Sequence, residues 1–79
     1  MANKIKIYRT ILNLSQHRLA KKVGVTRATI NSIENEKTIP NLKLANDIAI
    51  ALNRKLQEVF ISLNCWYKDF LNEEVLYEK

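Results

Sequence analysis

The 79-residue chain has one glycine, one proline, one cysteine and one histidine, and each scarcity narrows what it can be. Gly24 and Pro40 are too few to punctuate a fold of many short strands joined by tight turns. Cys65 alone cannot form an internal disulfide or the cysteine set of a zinc site. His17 and Cys65 stand too far apart in sequence to suggest a nucleophile and its base. No paired carboxylates, Ser/His/Asp set or phosphate-binding glycine loop accompanies them, so the chain is expected not to be an enzyme and to need no cofactor or metal. No run approaches the roughly 18 apolar residues of a membrane span. Charge interrupts the first residues every few positions, unlike a signal peptide, so a cytoplasmic protein without membrane contact is expected.

What is present is a basic chain with an ordinary apolar share of 47% and a net charge of +5. The charge is unevenly placed. Residues 1–60 carry eleven Lys/Arg against four Asp/Glu, whereas residues 61–79 carry two against four. A surface that binds nucleic acid needs the first balance and is repelled by the second. This suggests a division into residues 1–60, which bind, and a C-terminal extension, residues 61–79, which serves dimerisation or a partner.

The single glycine lies in Ser15-Gln16-His17-Arg18-Leu19-Ala20-Lys21-Lys22-Val23-Gly24-Val25-Thr26-Arg27-Ala28-Thr29-Ile30-Asn31-Ser32-Ile33-Glu34-Asn35. Glycine reaches positive φ without a Cβ clash and can end one helix and redirect the chain into the next. A chain that uses it once is expected to do so where no side chain fits. Ser15 and Thr26 are N-caps, Ala20 permits close helix approach, and Leu19, Val23, Ile30 and Ile33 supply facing apolar sides. The construction is a helix-turn-helix, whose second helix enters the DNA major groove.

Three further helices complete the reading. The first covers about 3–12, with Ile5, Tyr8, Ile11 and Leu12 at helical spacing. Pro40 disfavours helical geometry at Ile39, and Asn41 caps a fourth helix whose stripe is Leu42, Ala45, Ile48, Ala49 and Leu52. Asn53 suits a left-handed helix end. A short fifth helix around 56–60 tucks Leu56, Val59 and Phe60 under the bundle. No strand is required over residues 1–60. The fold class is therefore all-α, five helices followed by a C-terminal extension. That extension is too apolar for a disordered end. It reads as a helix over about 65–77, or as a hairpin in which Ile61, Leu63, Cys65 and Tyr67 alternate before a turn at Asn72-Glu73-Glu74.

Leu14-Ser15-Gln16, Leu19-Ala20, Val23-Gly24-Val25-Thr26-Arg27, Thr29-Ile30, Ile33-Glu34-Asn35, Lys37 and Pro40 together resemble the phage repressor and Cro-like helix-turn-helix family, the XRE-type regulators. The resemblance covers about residues 5–60. It implies a five-helix repressor-like bundle and dimeric binding to a near-palindromic operator in double-stranded DNA. Arg27 has the planar fork that matches guanine O6 and N7, Ala28 suits a thymine methyl, and Asn31 and Ser32 lie one turn further along. These four are the expected base contacts, and the family's common base-reading positions match Arg27, Ala28 and Ser32. Gln16 begins the second helix, where free amides and partial positive charge favour a phosphate. The resemblance implies that its side chain also braces the recognition helix. Thr26, Thr29, Asn35, Lys37 and Lys43 complete the expected phosphate contacts. Arg9 and Glu34 are expected to form a buried or half-buried ion pair between the first and third helices, and the family commonly shows an arginine and a glutamate at the matching positions. One departure stands out. Glu36 occupies a position where the family usually has glycine, so either Asn35 or Glu36 must take an unusual backbone geometry.

Blander readings compete. Gln16 and Arg27 can be solvated surface residues, and Cys65 a packing residue. At the level of function, the alternative to a dimeric transcriptional regulator is an antitoxin or accessory protein-interaction module whose acidic, aromatic tail binds a protein partner. In the regulator reading the tail forms the homodimer interface, centred on Trp66, Tyr67, Phe70 and Leu71.

Overall fold

A computed structural model describes residues 2–60, which form five helices: α1 (Ile5–Ile11), α2 (Gln16–Val23), α3 (Arg27–Glu34), α4 (Leu42–Ala51) and α5 (Leu56–Val59). The expectations for residues 61–79, including the Trp66, Tyr67, Phe70 and Leu71 interface, lie outside the described residues.

Three helix starts follow the sequence. The Ser15 hydroxyl accepts the Arg18 N–H at 3.0 Å, Thr26 accepts Thr29 N–H at 3.2 Å, and Asn41 Oδ1 accepts Leu44 N–H at 2.8 Å. Each cap satisfies an amide that the helix itself cannot. The first helix starts later than its spacing suggests. Asn3 stands outside it, accepting Ile5 N–H on Oδ1 and donating from Nδ2 to the Ile33 carbonyl at 2.9 Å. Its backbone also forms an isolated antiparallel bridge with Phe60, and Lys4 N–H donates to Val59 O at 2.7 Å. The two ends of the described chain are thus joined by main-chain pairing rather than by helix packing alone.

Four helices end on the same device. Asn13, Gly24, Glu36 and Asn53 all have positive φ, between 54° and 76°. In each case the amide of that residue bonds three residues back and the next amide bonds five back, as in Gly24 to Lys21 and Val25 to Ala20, or Glu36 to Ile33 and Lys37 to Ser32. This is the Schellman motif. Glu36, not Asn35, takes the left-handed geometry, with φ of 61°. Gly24 corrects the expectation that no side chain fits there. A Cβ built on it meets nothing within 4 Å, so its φ of 76° is the whole requirement for glycine.

The core joins Ile5, Leu19, Ala20, Ile30, Ile33, Ala45, Ile48, Ala49, Leu52, Val59 and Phe60. α2 packs chiefly on α3 and α4, and α5 closes against α4. Three residues depart from the stripes drawn for them. Ile11 and Leu42 are each 60% exposed and Leu12 is 42% exposed, because α1 and α4 pack over fewer turns than their apolar spacing spans. Tyr8 is half-buried against the core, with the Arg54 guanidinium 4.6 Å above its ring.

Candidate nucleic-acid interface

α3 is held from behind and open in front. Ile30 and Ile33 are buried, while Arg27, Ala28 and Asn31 are exposed and Ser32 half-exposed on the outward side of the same helix. Successive turns of a helix place residues three and four apart on one face, so Arg27, Asn31 and Asn35 form one outward row and Ala28 and Ser32 a neighbouring one. The structure brings all of these expected contacts onto one surface with the start of α2.

Behind that surface lies a half-buried ion pair. Arg9 Nε donates to Glu34 Oε2 and Nη2 to Oε1, both at 3.2 Å, in the two-pronged geometry of a guanidinium on a carboxylate. The two side chains are 14% and 5% exposed. Arg9 Nη1 also donates to the Leu14 carbonyl at 2.9 Å, tying the α1–α2 connection to the same group. The pair expected between Arg9 and Glu34 is present, and it fixes the C-terminal end of α3 against α1.

Gln16 connects this pair to the outward surface. Its Nε2 donates to Glu34 Oε2 at 3.3 Å and to Asn31 Oδ1 at 3.2 Å. Asn35 Nδ2 donates to the same Asn31 oxygen at 3.2 Å. Gln16 therefore braces the recognition helix, and both hydrogens of its amide are spent inside the protein. Its backbone amide and that of His17 open the α2 N-terminus without a carbonyl partner among the described residues, which leaves donors suited to an anion.

The remaining expected contacts frame this face. Thr26 and Thr29 share a hydroxyl–hydroxyl hydrogen bond of 2.9 Å at the start of α3. Ser32 holds the loop after α3 twice, through its hydroxyl to Thr38 and its carbonyl to Lys37 N–H at 2.9 Å. Arg27 and Lys37 are exposed and form no ion pair among the described residues. Lys43 is different, because Asp47 lies 3.0 Å from its Nζ one turn along α4. That pair is exposed, and such pairs hold their partners weakly. Of the acidic residues described, Glu34, Asp47 and Glu58 are each paired with a cation, and Glu36 is not. The face around α3 is accordingly basic apart from Glu36.

Sequence reasoning missed Asn3 and Thr38. Neither lies in a recognisable spacing, and their partners, Ile33 and Ser32, are 30 and 6 positions away. Among the described residues no His, Cys, Asp and Glu cluster suits a metal ion, and no helix is long and apolar enough to cross a membrane.

A short helix set across another by a tight turn, with its first turn exposed on a basic face, defines a helix-turn-helix DNA-binding protein. Residues 5–59 match the helix-turn-helix family, and the chain belongs to it, among the XRE-type regulators. An uncharacterized HTH-type transcriptional regulator of Methanocaldococcus jannaschii is 51% identical over 61 residues, covering 77% of this chain and 92% of that protein. Another, from Archaeoglobus fulgidus, is 42% identical over 79 residues, covering 100% of this chain and 99% of its own length. The crystal structure of the clp gene regulator ClgR from Corynebacterium glutamicum has a TM-score of 0.69 with 16% identity, over 94% of this chain and 79% of that one. At that identity the likeness concerns the fold.

Proposed function

We propose that the chain is a sequence-specific transcriptional regulator that binds a near-palindromic operator as a homodimer and acts by occupying DNA in the cytoplasm. The observation that carries this reading is the outward row of α3, exposed along its length while Ile30 and Ile33 anchor its back. Arg27, Ala28, Asn31 and Ser32 face the base edges. Phosphates are met by the backbone amide of Gln16, by the Thr26 and Thr29 hydroxyls, and by Asn35, Lys37 and Lys43 on the other side of the groove. Two copies place their α3 helices one DNA turn apart, about 34 Å, which a palindrome requires. In this reading residues 61–79 join the copies through Trp66, Tyr67, Phe70 and Leu71, with their acidic charge kept away from the phosphates.

Selection from random double-stranded DNA tests the proposal by giving half-site sequence and spacing together. Arg27→Ala is expected to flatten the preference among sequences, costing about 1–3 kcal/mol on the preferred site. Lys37→Ala is expected to weaken all sequences alike and to reduce the salt dependence. Equal losses on specific and random DNA for Arg27→Ala would remove Arg27 as a base reader. Deleting residues 62–79 is expected to give a monomer that binds a half-site weakly. A truncated chain that stays a tight dimer refutes the tail as the interface.

A further inference from the structure

The hydrogen bonds behind α3 run in one direction. Glu34 takes two hydrogen bonds from Arg9, and a carboxylate only accepts, so the group that Gln16 presents to it must be its NH2. The second hydrogen of that NH2 goes to Asn31 Oδ1, which also accepts from Asn35 Nδ2. A carbonyl oxygen has two lone pairs, and both of those on Asn31 are then occupied. What Asn31 has left for a ligand is its own NH2, two donors and no acceptor. Arg9 and Glu34, a half-buried pair, thereby fix the polarity of an exposed side chain on α3.

We propose that this chain of hydrogen bonds makes Asn31 a donor-only reader that selects guanine and rejects adenine, an inference that rests on the DNA-binding reading above. Asparagine ordinarily recognises adenine by giving a hydrogen bond to N7 and accepting one from the N6 amino group. Asn31 lacks the free acceptor for the second bond, and turning its amide over would face its NH2 against the NH2 groups of Gln16 and Asn35. Guanine presents O6 and N7, two acceptors, and matches two donors. Glu34 is then a positioning residue for specificity as well as a partner for Arg9.

The test compares wild-type chain, Asn31→Ala and the double variant Gln16→Ala/Asn35→Ala in selection from random DNA. Gln16 is half-exposed and Asn35 exposed, and neither side chain is a member of the Arg9–Glu34 ion pair. At the base pair whose preference disappears in Asn31→Ala, the wild type is expected to favour G·C over A·T by about fivefold or more. In the double variant both Asn31 lone pairs are released, and that ratio is expected to fall to within about twofold. A wild-type preference for A·T there, or no base pair that depends on Asn31, overturns the proposal. A second measurement needs no DNA. Side-chain amide hydrogen exchange by NMR is expected to show the Gln16 NH2 protected and the Asn31 NH2 exchanging freely, and the reverse order overturns the hydrogen-bond direction. If selection yields no sequence at all, the DNA-binding reading and the base preference built on it both fail, while the NMR result still decides the relay.

Discussion

The two ends of the recognition helix are built in opposite ways. Its start follows a one-glycine turn, is capped by a threonine hydroxyl, and leaves Arg27 and Ala28 exposed. Its end is clamped by Glu34 to Arg9, roofed by the Gln16, Asn31 and Asn35 amides, and turned at a glutamate with left-handed geometry. The comparison separates presentation from anchorage. In the proposed function the start meets DNA, and it carries little that would compete for its donors. The end has to hold α3 at a fixed angle, so polar groups there are paired with one another, and the relay carries that order outward to Asn31.

If anchorage lies at the end, removing Glu34 must hurt most. Glu34→Ala leaves the Arg9 guanidinium half-buried without its carboxylate and is expected to cost about 3 kcal/mol in urea unfolding, whereas the Arg9→Ala/Glu34→Ala pair costs less than the sum of the single changes. A loss below about 1 kcal/mol would erase the distinction between the two ends.

At the start, Gly24→Ala is expected to cost about 1 kcal/mol by the same measurement, since only the positive φ opposes it. Gly24→Asn should cost less, because asparagine tolerates this geometry, as Asn13 and Asn53 do here. A cost for Gly24→Ala of several kcal/mol would mean that close packing, not backbone geometry, governs this turn.

Glu36→Gly is the finest probe. Relief of the left-handed strain is partly offset by the extra freedom glycine has when unfolded, and a gain of about 0.5 kcal/mol is expected. The same change removes a carboxylate beside the proposed phosphate contacts that is unpaired among the described residues. DNA affinity should therefore rise, more at low salt than at high salt. Unchanged affinity at low salt would place Glu36 away from the phosphate backbone.

Most of the scaffold was legible because its signals are local. Caps at Ser15, Thr26 and Asn41 and the stop at Asn53 depend on neighbours within five residues, and the buried positions of α2 and α3 repeat at helical spacing. Extrapolating that spacing failed at Ile11, Leu12 and Leu42, since periodicity tells which side of a helix is apolar but not how far along it a neighbour reaches. At Glu36 the need for a left-handed residue was visible from the family pattern, but which of two adjacent residues would supply it was not.

By itself the sequence determined a basic helix-turn-helix chain, helical over the described residues, with the outward residues of α3 and the Arg9–Glu34 pair recognisable through the family's pattern. Tertiary structure decided how those residues are tied together. Asn3 reaching Ile33, Ser32 holding Thr38, and Gln16 joining Glu34 to Asn31 all depend on side chains brought together by helix crossing. A hydrogen bond requires a partner within about 3 Å and a direction, and linear spacing supplies neither for residues on different helices.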